Sequence, residues 1–518
     1  MSKAMQRALG MQLGLEDEGG EALMMSEAVA ENSAIDEGAV EVADATDEVI
    51  QGSETVVELS EAASNLEEVS EAIVAVAEGE GVTQEAAVFM HLAIKNACGR
   101  FYGPAFASAV PSVESFSGSS GRRRNALISV EGVGQMLKSF WEAIKRQMKK
   151  LWATVKNWYL RVLDQAPRLK KKAQSLIARA GEAHGTPEEK DFDMGNLHTL
   201  NLDGKAPPLN KAVEMFGKMA AAADDILGDK TKGHYENIGE SFEKLVEDAE
   251  KVDVEGWDSA TRKSMTAAAS NIDNTTTRGD ALHRAAAKKG RGLSDAEKDT
   301  VIAQLMHAAD EASARVMVAE YDKLMKDYED FNTHAQRAVK VFSSGTVSKA
   351  DRFGDDVTYT ITESLFGGSA IVALSPKGKQ FDLLKHSRRL GFQMTTYAEK
   401  PKDVDSSGTF KTMGGAEIRR VCEAIMDICD AVITYRKSWE SRDKQQDKID
   451  KVGGKAIDRI EKDKEAAPIK VKFIRTTILG MTGFWQKGVQ FDASFINYLL
   501  KVSSAGLNWC ERSIAQYK

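Results

Sequence analysis

The strongest helical pattern in the chain lies in residues 134–163, which read GQMLKSFWEAIKRQMKKLWATVKNWYLRVL. Apolar residues recur there every three or four positions and define one face of an amphipathic helix. They are Leu137, Trp141, Ile144, Met148, Trp152, Val155, Tyr159 and Val162. Lysine and arginine cover the remaining surface, so that residues 132–180 hold 12 basic and two acidic residues. This stretch predicts a long basic helix whose apolar face needs a partner.

The sequence after this stretch predicts a linker and then a helical body. Pro167 is expected to end or kink the basic helix, because proline lacks a backbone N–H and clashes with the preceding turn. Residues 181–208 are polar and contain three prolines, which predicts a linker. From residue 209 onward apolar residues mostly recur at helical spacing. The predicted helices are 209–227, 235–252, 257–287, 294–343, 413–447 and 470–515.

One segment of the body departs from this helical pattern. Residues 357–362 alternate between β-branched or aromatic residues and threonine, and the apolar run 371–374 follows a Gly-Gly pair. Such a pattern is typical of two antiparallel strands joined by a turn. We therefore predict a mainly α fold, an elongated helical bundle in which residues 209–518 form the body, with one small β-hairpin insertion near 356–375.

The N-terminal part of the chain carries the opposite charge. Residues 1–131 hold 23 acidic and 7 basic residues, whereas residues 132–518 hold 55 acidic and 62 basic residues. Residues 1–102 are rich in Glu, Ala, Val and Ser, with little apolar bulk to offset the entropy of ordering. The best helical spacing lies between 54 and 77. We predict a disordered or weakly helical acidic arm of propeptide type over 1–102, ahead of the basic Trp-rich helix 132–180.

Residues 103–131 connect these two oppositely charged parts. The stretch 103–125 contains two prolines and three consecutive arginines without apolar periodicity, which predicts an exposed linker of the kind that proteases cut. The tripeptide Ser-Val-Glu occurs twice in 103–131, and Ser-x-Glu also occurs at 241–243 and 438–440 within predicted helices. The candidate cleavage residues are Ser112, Glu114, Ser115, Ser129, Glu131 and Gly132.

Composition and motifs argue against several functional classes. No run of 18 apolar residues exists and no basic segment precedes an apolar one at the N-terminus, so we expect neither a membrane-spanning helix nor an export signal. The four cysteines, Cys98, Cys422, Cys429 and Cys510, are too scattered for a disulfide framework or a zinc site and are expected to be buried thiols. Nucleotide-binding and hydrolase motifs are absent. We expect no catalytic residue, no metal and no cofactor.

An acidic arm, a small-x-Glu pattern and a basic helical segment, in this order over residues 1–180, resemble the internal head proteins of large tailed bacteriophages. The resemblance implies a structural protein of the prohead core, trimmed by the maturation protease after a Glu when the residue two positions earlier is also specified. That earlier residue is usually Leu or Ile in T4-like phages. Ser112 and Ser129 are closer to the pattern of giant phages of the phiKZ type.

The resemblance also implies where the protein acts and what it contacts. The expected partners are phage capsid and core proteins, the prohead protease and packaged double-stranded DNA, in a virion assembled in the host cytoplasm. Contact with DNA phosphates would be independent of base sequence and would come from the basic stretch 138–172. The candidate nucleic-acid-binding residues are Lys138, Lys145, Arg146, Lys149, Lys150, Lys156, Arg161, Lys170, Lys171 and Lys172.

Two alternatives stay open at this point. Trp141, Trp152 and Trp158 among lysines are typical of a helix at a membrane surface, which would make the protein an injected or membrane-acting module. The simpler explanation of the same helix is packing on the body. A bacterial regulator or a cryptic hydrolase is the third possibility, and no residue argues for it.

Overall fold

The long helices of this protein are its dominant feature. A computed structural model describes residues 19–78, 119–193, 199–202, 204–251, 318, 320–342, 357–376, 387, 390–396, 409–462 and 468–517. The helices in these ranges are α1 (Gly19–Glu78), α2 (Ser119–Arg179), α3 (Leu209–Leu227), α4 (Asp229–Lys251), α5 (Glu320–Lys340), α6 (Gly415–Lys462) and α7 (Pro468–Ala515). At 1.5 Å per residue, α1 and α2 are each about 90 Å long. The mainly α prediction is confirmed.

Two small antiparallel sheets accompany the helices. Strands β2 (Val357–Ile361), β3 (Ser369–Pro376) and β4 (Gly391–Thr396) pair in that order, and β1 (Asp191–Asp193) pairs with β5 (Thr409–Lys411). Between β2 and β3, Gly367 and Gly368 have a φ of 69°, a conformation that glycine adopts without strain. The predicted hairpin is confirmed, and β4 and the β1–β5 pair are additions that the sequence pattern did not indicate.

The helical body follows the predicted pattern wherever it is described. Helix α3 has the predicted bounds, and α7 begins two residues before the predicted start. Helix α4 begins at Asp229, ahead of the predicted 235, and α6 continues to Lys462, beyond the predicted 447. The predicted helix 257–287 and residues 294–317 of the predicted helix 294–343 lie outside the described residues.

Helix α7 forms the centre of the core. Its large side chains, including Phe484, Trp485 and Trp509, are almost fully buried, and it packs on α1, α2, α4, α6 and β4. The indole N–H of Trp509 donates to the backbone carbonyl of Lys411, and the hydroxyl of Tyr498 donates to that of Phe366. These two hydrogen bonds connect α7 to strand β5 and to the hairpin turn.

The acidic arm is more ordered than its composition predicts. Its described part is one 60-residue helix, and Val49, Val56 and Leu66 are completely buried. Small apolar residues do not stabilise an isolated helix well, but most helix stability in proteins comes from packing of an apolar face. Helices α2 and α7 provide that packing for α1. The helical part of the prediction for the arm therefore holds for residues 19–78, and the packing of the arm on α2 and α7 is an addition that its composition did not indicate.

The basic helix is longer than predicted at its start. Helix α2 begins at Ser119, inside the predicted linker 103–131, and runs through Pro167 to Arg179. An internal proline costs about 3 kcal/mol, and burial on both sides of it offsets this cost, because Ala166, Leu169 and Ala173 are 0% exposed. The expectation that Pro167 ends the helix is therefore wrong. Residues 103–118 lie outside the described residues.

The predicted linker 181–208 is irregular but packed in its described parts. Leu200 and Leu202 are buried, and the N–H of Glu188 donates to the carbonyl of Gln516. Strand β1 within it pairs with β5 next to α6. The segment between α2 and α3 therefore packs against the end of α7 and against strand β5.

Candidate interface between the acidic arm and the basic helix

Helices α1 and α2 pack side by side in antiparallel orientation. Thr46 lies beside Trp158 and Ile35 beside Gln165, so that positions rise along one helix as they fall along the other. The indole N–H of Trp158 donates to the hydroxyl of Thr46 at 2.9 Å, and the Gln165 side-chain amide donates to the carbonyl of Ile35 at 2.8 Å. Both hydrogen bonds are buried. The acidic arm is thereby held in one register along the basic helix.

Small residues allow the two helices to approach closely. A Cβ atom added to Gly52 would lie 2.9 Å from a methyl carbon of Leu151, and one added to Gly38 would collide with the side chain of Gln165. The buried face of α1 also uses Ala45 and Ala62. The glycines and alanines that make the arm weakly apolar in composition therefore allow α1 to pack closely on α2.

Helix α7 completes a three-helix arrangement with α1 and α2. The buried hydroxyl of Ser53 donates to the carbonyl of Gln486 at 2.9 Å, and the amide of Gln486 contacts the sulfur of Met148 at 3.0 Å. At the surface, Gln490 donates to the carboxylate of Glu54 at 3.3 Å. The apolar face of α1 thus lies in a groove whose two walls are α2 and α7.

The outward faces of α1 and α2 carry opposite charge. Among the arm side chains that the structure describes, residues 33–66, nine acidic ones are exposed: Asp36, Glu37, Glu41, Asp44, Asp47, Glu48, Glu54, Glu58 and Glu61. Seven members of the predicted DNA-binding set are exposed: Lys138, Arg146, Lys149, Lys150, Lys156, Arg161 and Lys171. Two arginines reach across to the arm, since Arg161 donates to the carbonyl of Glu41 and Arg168 to that of Ala34. A row of carboxylates therefore lies next to a row of cations.

Several of the predicted DNA-binding residues make polar contacts within the protein, and three of these are to side chains of known identity. Lys172 is buried and its ammonium group contacts Asn508 and Glu511. The ammonium of Lys170 lies 2.6 Å from the carboxylate of Asp430, and that of Lys145 lies 3.2 Å from Glu142. Lys172 therefore connects α2 to α7, which corrects its assignment as a phosphate contact.

The candidate cleavage residues fall into two groups. Ser112, Glu114 and Ser115 lie outside the described residues. Ser129, Glu131 and Gly132 have helical backbone within α2, whereas an exposed linker was predicted there. Backbone hydrogen bonds of a helix must open before a protease can bind the chain in an extended conformation. A cut after Glu131 therefore requires local unwinding of α2.

The two other Ser-x-Glu tripeptides are protected by burial. Ser241 is 0% exposed and its hydroxyl donates to the carboxylate of Asp327. Ser438 is 3% exposed and its hydroxyl contacts the carbonyl of Leu227. Both tripeptides lie inside helices, α4 and α6. These sites provide internal controls for any protease that reads Ser-x-Glu.

The apolar face of the Trp-rich helix is covered by protein wherever its side chains are described. Ile144, Met148, Val155 and Trp158 are buried, and Trp152 is half-buried. The side chains of Leu137 and Trp141 lie outside the described residues. In this conformation the face that would enter a bilayer already contacts α1, α6 and α7. The described helices include none with the length and apolar character to cross a membrane.

A buried charged cluster lies at the contact of α4, α6 and α7, and the sequence analysis missed it. The guanidinium of Arg442 pairs with Asp492 and lies 4.1 Å from the ring centre of Tyr235. The hydroxyl of Tyr435 donates to Asp492 at 2.7 Å. Burial raises the pKa of Asp492, and Arg442 and Tyr435 act in the opposite direction. One acidic residue between Phe491 and Ala493 in an apolar helix is the signal that would have indicated this pair.

Nothing in the described part of the chain has the arrangement of a metal centre. No group of three or more His, Cys, Asp or Glu side chains is positioned there to hold an ion. Cys422, Cys429 and Cys510 are free and buried, as predicted, and burial raises the pKa of Cys429 to about 12. A thiol with a raised pKa is a poor nucleophile. Cys98 lies outside the described residues.

Comparison with known proteins gives one match. The model of a protein family described as phiKZ-like phage internal head proteins matches residues 31–512. No curated protein and no solved structure matches the chain. The family match includes most of the acidic arm, the basic helix and nearly all of the body.

Proposed function

The chain belongs to the phiKZ-like phage internal head proteins, and on that premise we propose that it is a prohead core protein that the maturation protease trims and that remains with packaged DNA. Family membership makes it a structural protein inside the phage capsid, associated with capsid and core proteins. Trimming and DNA contact are the proposed parts. We propose no catalytic activity for it.

One observation supports the proposal most strongly: the acidic helix α1 lies along the basic helix α2. Exposed carboxylates of α1 repel phosphate, and α1 packs along α2, whose outer face carries exposed lysines. Charges closer together than about 10 Å still influence one another at 0.1 M salt. In the uncut protein the arm therefore reduces the attraction of α2 for nucleic acid. Masking of this kind would keep the basic helix from binding host nucleic acid before packaging.

Trimming would act on the connection between α1 and α2, after Glu114, or within the N-terminal part of α2, after Glu131. Both Glu114 and Glu131 remain candidates, and a cut at either position separates the arm's charge from the body's covalently. The protected tripeptides at Ser241 and Ser438 support the view that position in the fold, and not the tripeptide alone, selects the site. The membrane-acting alternative receives no support from the buried apolar face of α2.

Mass spectrometry of purified particles tests the trimming. We expect a chain that begins at Ser115 or at Gly132, and no chain that begins at Lys244 or Ser441, which follow the two buried tripeptides. Replacement of Glu114 or Glu131 by Gln should abolish the product of that site only. Uncut protein throughout the mature particles would contradict the proposal, and so would equal cleavage at the buried tripeptides.

A further inference from the structure

We infer that the arm helix α1 stays bound to the body after the chain is cut between α1 and α2, so that cleavage yields a two-chain complex and does not release the arm. The contact between α1 and the groove of α2 and α7 carries this inference. It holds for any cut in that connection. Its consequence for masking, given below, rests on the proposed function.

Burial along the arm is continuous over about nine turns of helix. The residues that contact the groove, from Ile35 to Leu66, recur at helical spacing and are at most 8% exposed. They are Ile35, Val42, Ala45, Val49, Val56, Val57, Leu59, Ala62, Ala63 and Leu66. On the other side lie large side chains, among them Phe140, Leu151 and Trp158 of α2. Release of the arm would expose all of this surface to water.

Buried polar groups add to the cost of releasing the arm. Trp158 and Gln165 of α2 donate to Thr46 and Ile35 of α1, and Ser53 of α1 donates to Gln486 of α7. Each of these bonds joins the arm to the body across the cut. Such contacts do not depend on charge, so salt screens them little. The arm therefore behaves as a part of the core that happens to carry an acidic outer face.

This arrangement changes what a single cut achieves. If the arm stays docked, the exposed carboxylates remain beside the basic helix and the masking persists after cleavage. Unmasking then needs a second step, which is either further digestion of α1 or its displacement from the groove. A cut alone would break the covalent connection and leave the net charge of the complex of arm and body unchanged.

The test uses the full chain with a recognition sequence for a sequence-specific protease inserted between residues 104 and 111. After complete cutting, size-exclusion chromatography should show arm and body eluting together in equal amounts, in 0.15 M and in 1 M NaCl. A free arm peptide at 0.15 M NaCl would overturn the inference. Release only at 1 M NaCl would overturn it too, because it would show that charge alone holds the arm.

Matched substitutions identify the surface responsible. Val49→Asp together with Val56→Asp places charges on the buried face, where both residues are 0% exposed, and should release the arm after cutting. Val40→Asp makes the same change at a position that is 61% exposed, and should leave the arm bound. Equal behaviour of the two variants would contradict the inference. If the double variant misfolds, Ser53→Ala with Thr46→Ala should instead lower the salt-independent retention measurably.

Retention of the arm and trimming of the chain can be tested independently of each other. Particles that contain a chain starting at Ser115 or Gly132 together with arm peptides agree with both ideas. Particles with the new N-terminus but without arm peptides support trimming, and the inserted-site experiment then decides between spontaneous release, which overturns the inference, and later removal of a bound arm, which agrees with it. Particles without the new N-terminus contradict trimming, and the inserted site still decides retention.

Discussion

The indole of Trp158 donates a hydrogen bond of 2.9 Å to the hydroxyl of Thr46, which lies 112 residues earlier in the chain. Both side chains are 1% exposed. A buried donor that loses its partner costs about 1–3 kcal/mol, so this bond favours one register of α1 on α2 beyond what apolar burial alone requires. The pair shows that the acidic arm and the basic helix are parts of one core.

The first prediction concerns the stability that this contact provides. Trp158→Ala in the full chain should lower the free energy of unfolding by roughly 3–5 kcal/mol, because it removes a fully buried large side chain and leaves a cavity. Trp158→Phe should cost less, since most of the volume remains. Urea unfolding followed by circular dichroism measures both values.

Trp152 supplies the matched control on the same helix. It is half-buried, so Trp152→Ala should cost clearly less than Trp158→Ala. Equal losses at the two positions would contradict the packing of α2 described above.

The second prediction concerns pH. The ring of His234 in α4 lies 5.1 Å from that of His334 in α5, and His334 Nε2 lies 3.1 Å from the carbonyl of Asp225. Burial lowers the pKa of both histidines, and His234 lowers that of His334 further. The unfolded chain therefore takes up protons below about pH 6.5 that the folded chain resists. Stability contributed by the neutral pair is present above pH 6.5 and is lost as the pH falls below it.

Substitution of both histidines checks this assignment. His234→Gln with His334→Gln should flatten the fall of the melting temperature between pH 6.5 and 5. His184→Gln, at an exposed position, should leave that fall unchanged. The charged groups that surround the pair are Asp225, Lys230, Asp327 and Asp330. An unaltered pH profile in the double variant would contradict the assignment to the histidine pair.

The third prediction concerns the buried pair of Arg442 and Asp492. Removal of one partner leaves an unpaired buried charge, which typically costs about 3–5 kcal/mol. Arg442→Met should therefore destabilise strongly, whereas Arg442→Met combined with Asp492→Leu should recover part of the loss. Thermal unfolding of the wild type, the two single variants and the double variant measures the coupling. Additive losses would show that the two charges do not stabilise each other.

Sequence periodicity predicts the helices and strands of this fold better than it predicts which of them pack against each other. The basic helix, α3, α7 and the hairpin follow from local patterns, because each pattern repeats within its own segment. The order of the arm does not follow, since the arm gains its burial from α2 and α7, which come later in the chain. The same reason explains why Lys172 was assigned to DNA: its neighbours in sequence are exposed cations, and its partner Glu511 is on α7. Counts of charged residues identified the acidic arm and the basic helix, but they did not predict that the two segments pack against each other.

The last prediction tests masking without cutting the chain, since the arm belongs to the core. Replacement of three exposed arm carboxylates, Glu41→Gln, Asp44→Gln and Glu48→Gln, should tighten binding of a 30-base-pair duplex in about 50 mM salt, measured by fluorescence anisotropy, with an affinity that falls steeply with salt. The control makes the same change of charge far from α2, with Glu240→Gln, Glu247→Gln and Glu329→Gln, and should have a smaller effect. Adding Arg146→Gln, Lys149→Gln and Lys150→Gln to the arm variant should remove the gain, because these exposed cations are the ones proposed to contact phosphate. Equal gains from the arm variant and the remote control would show that net charge matters and that the position of the arm does not.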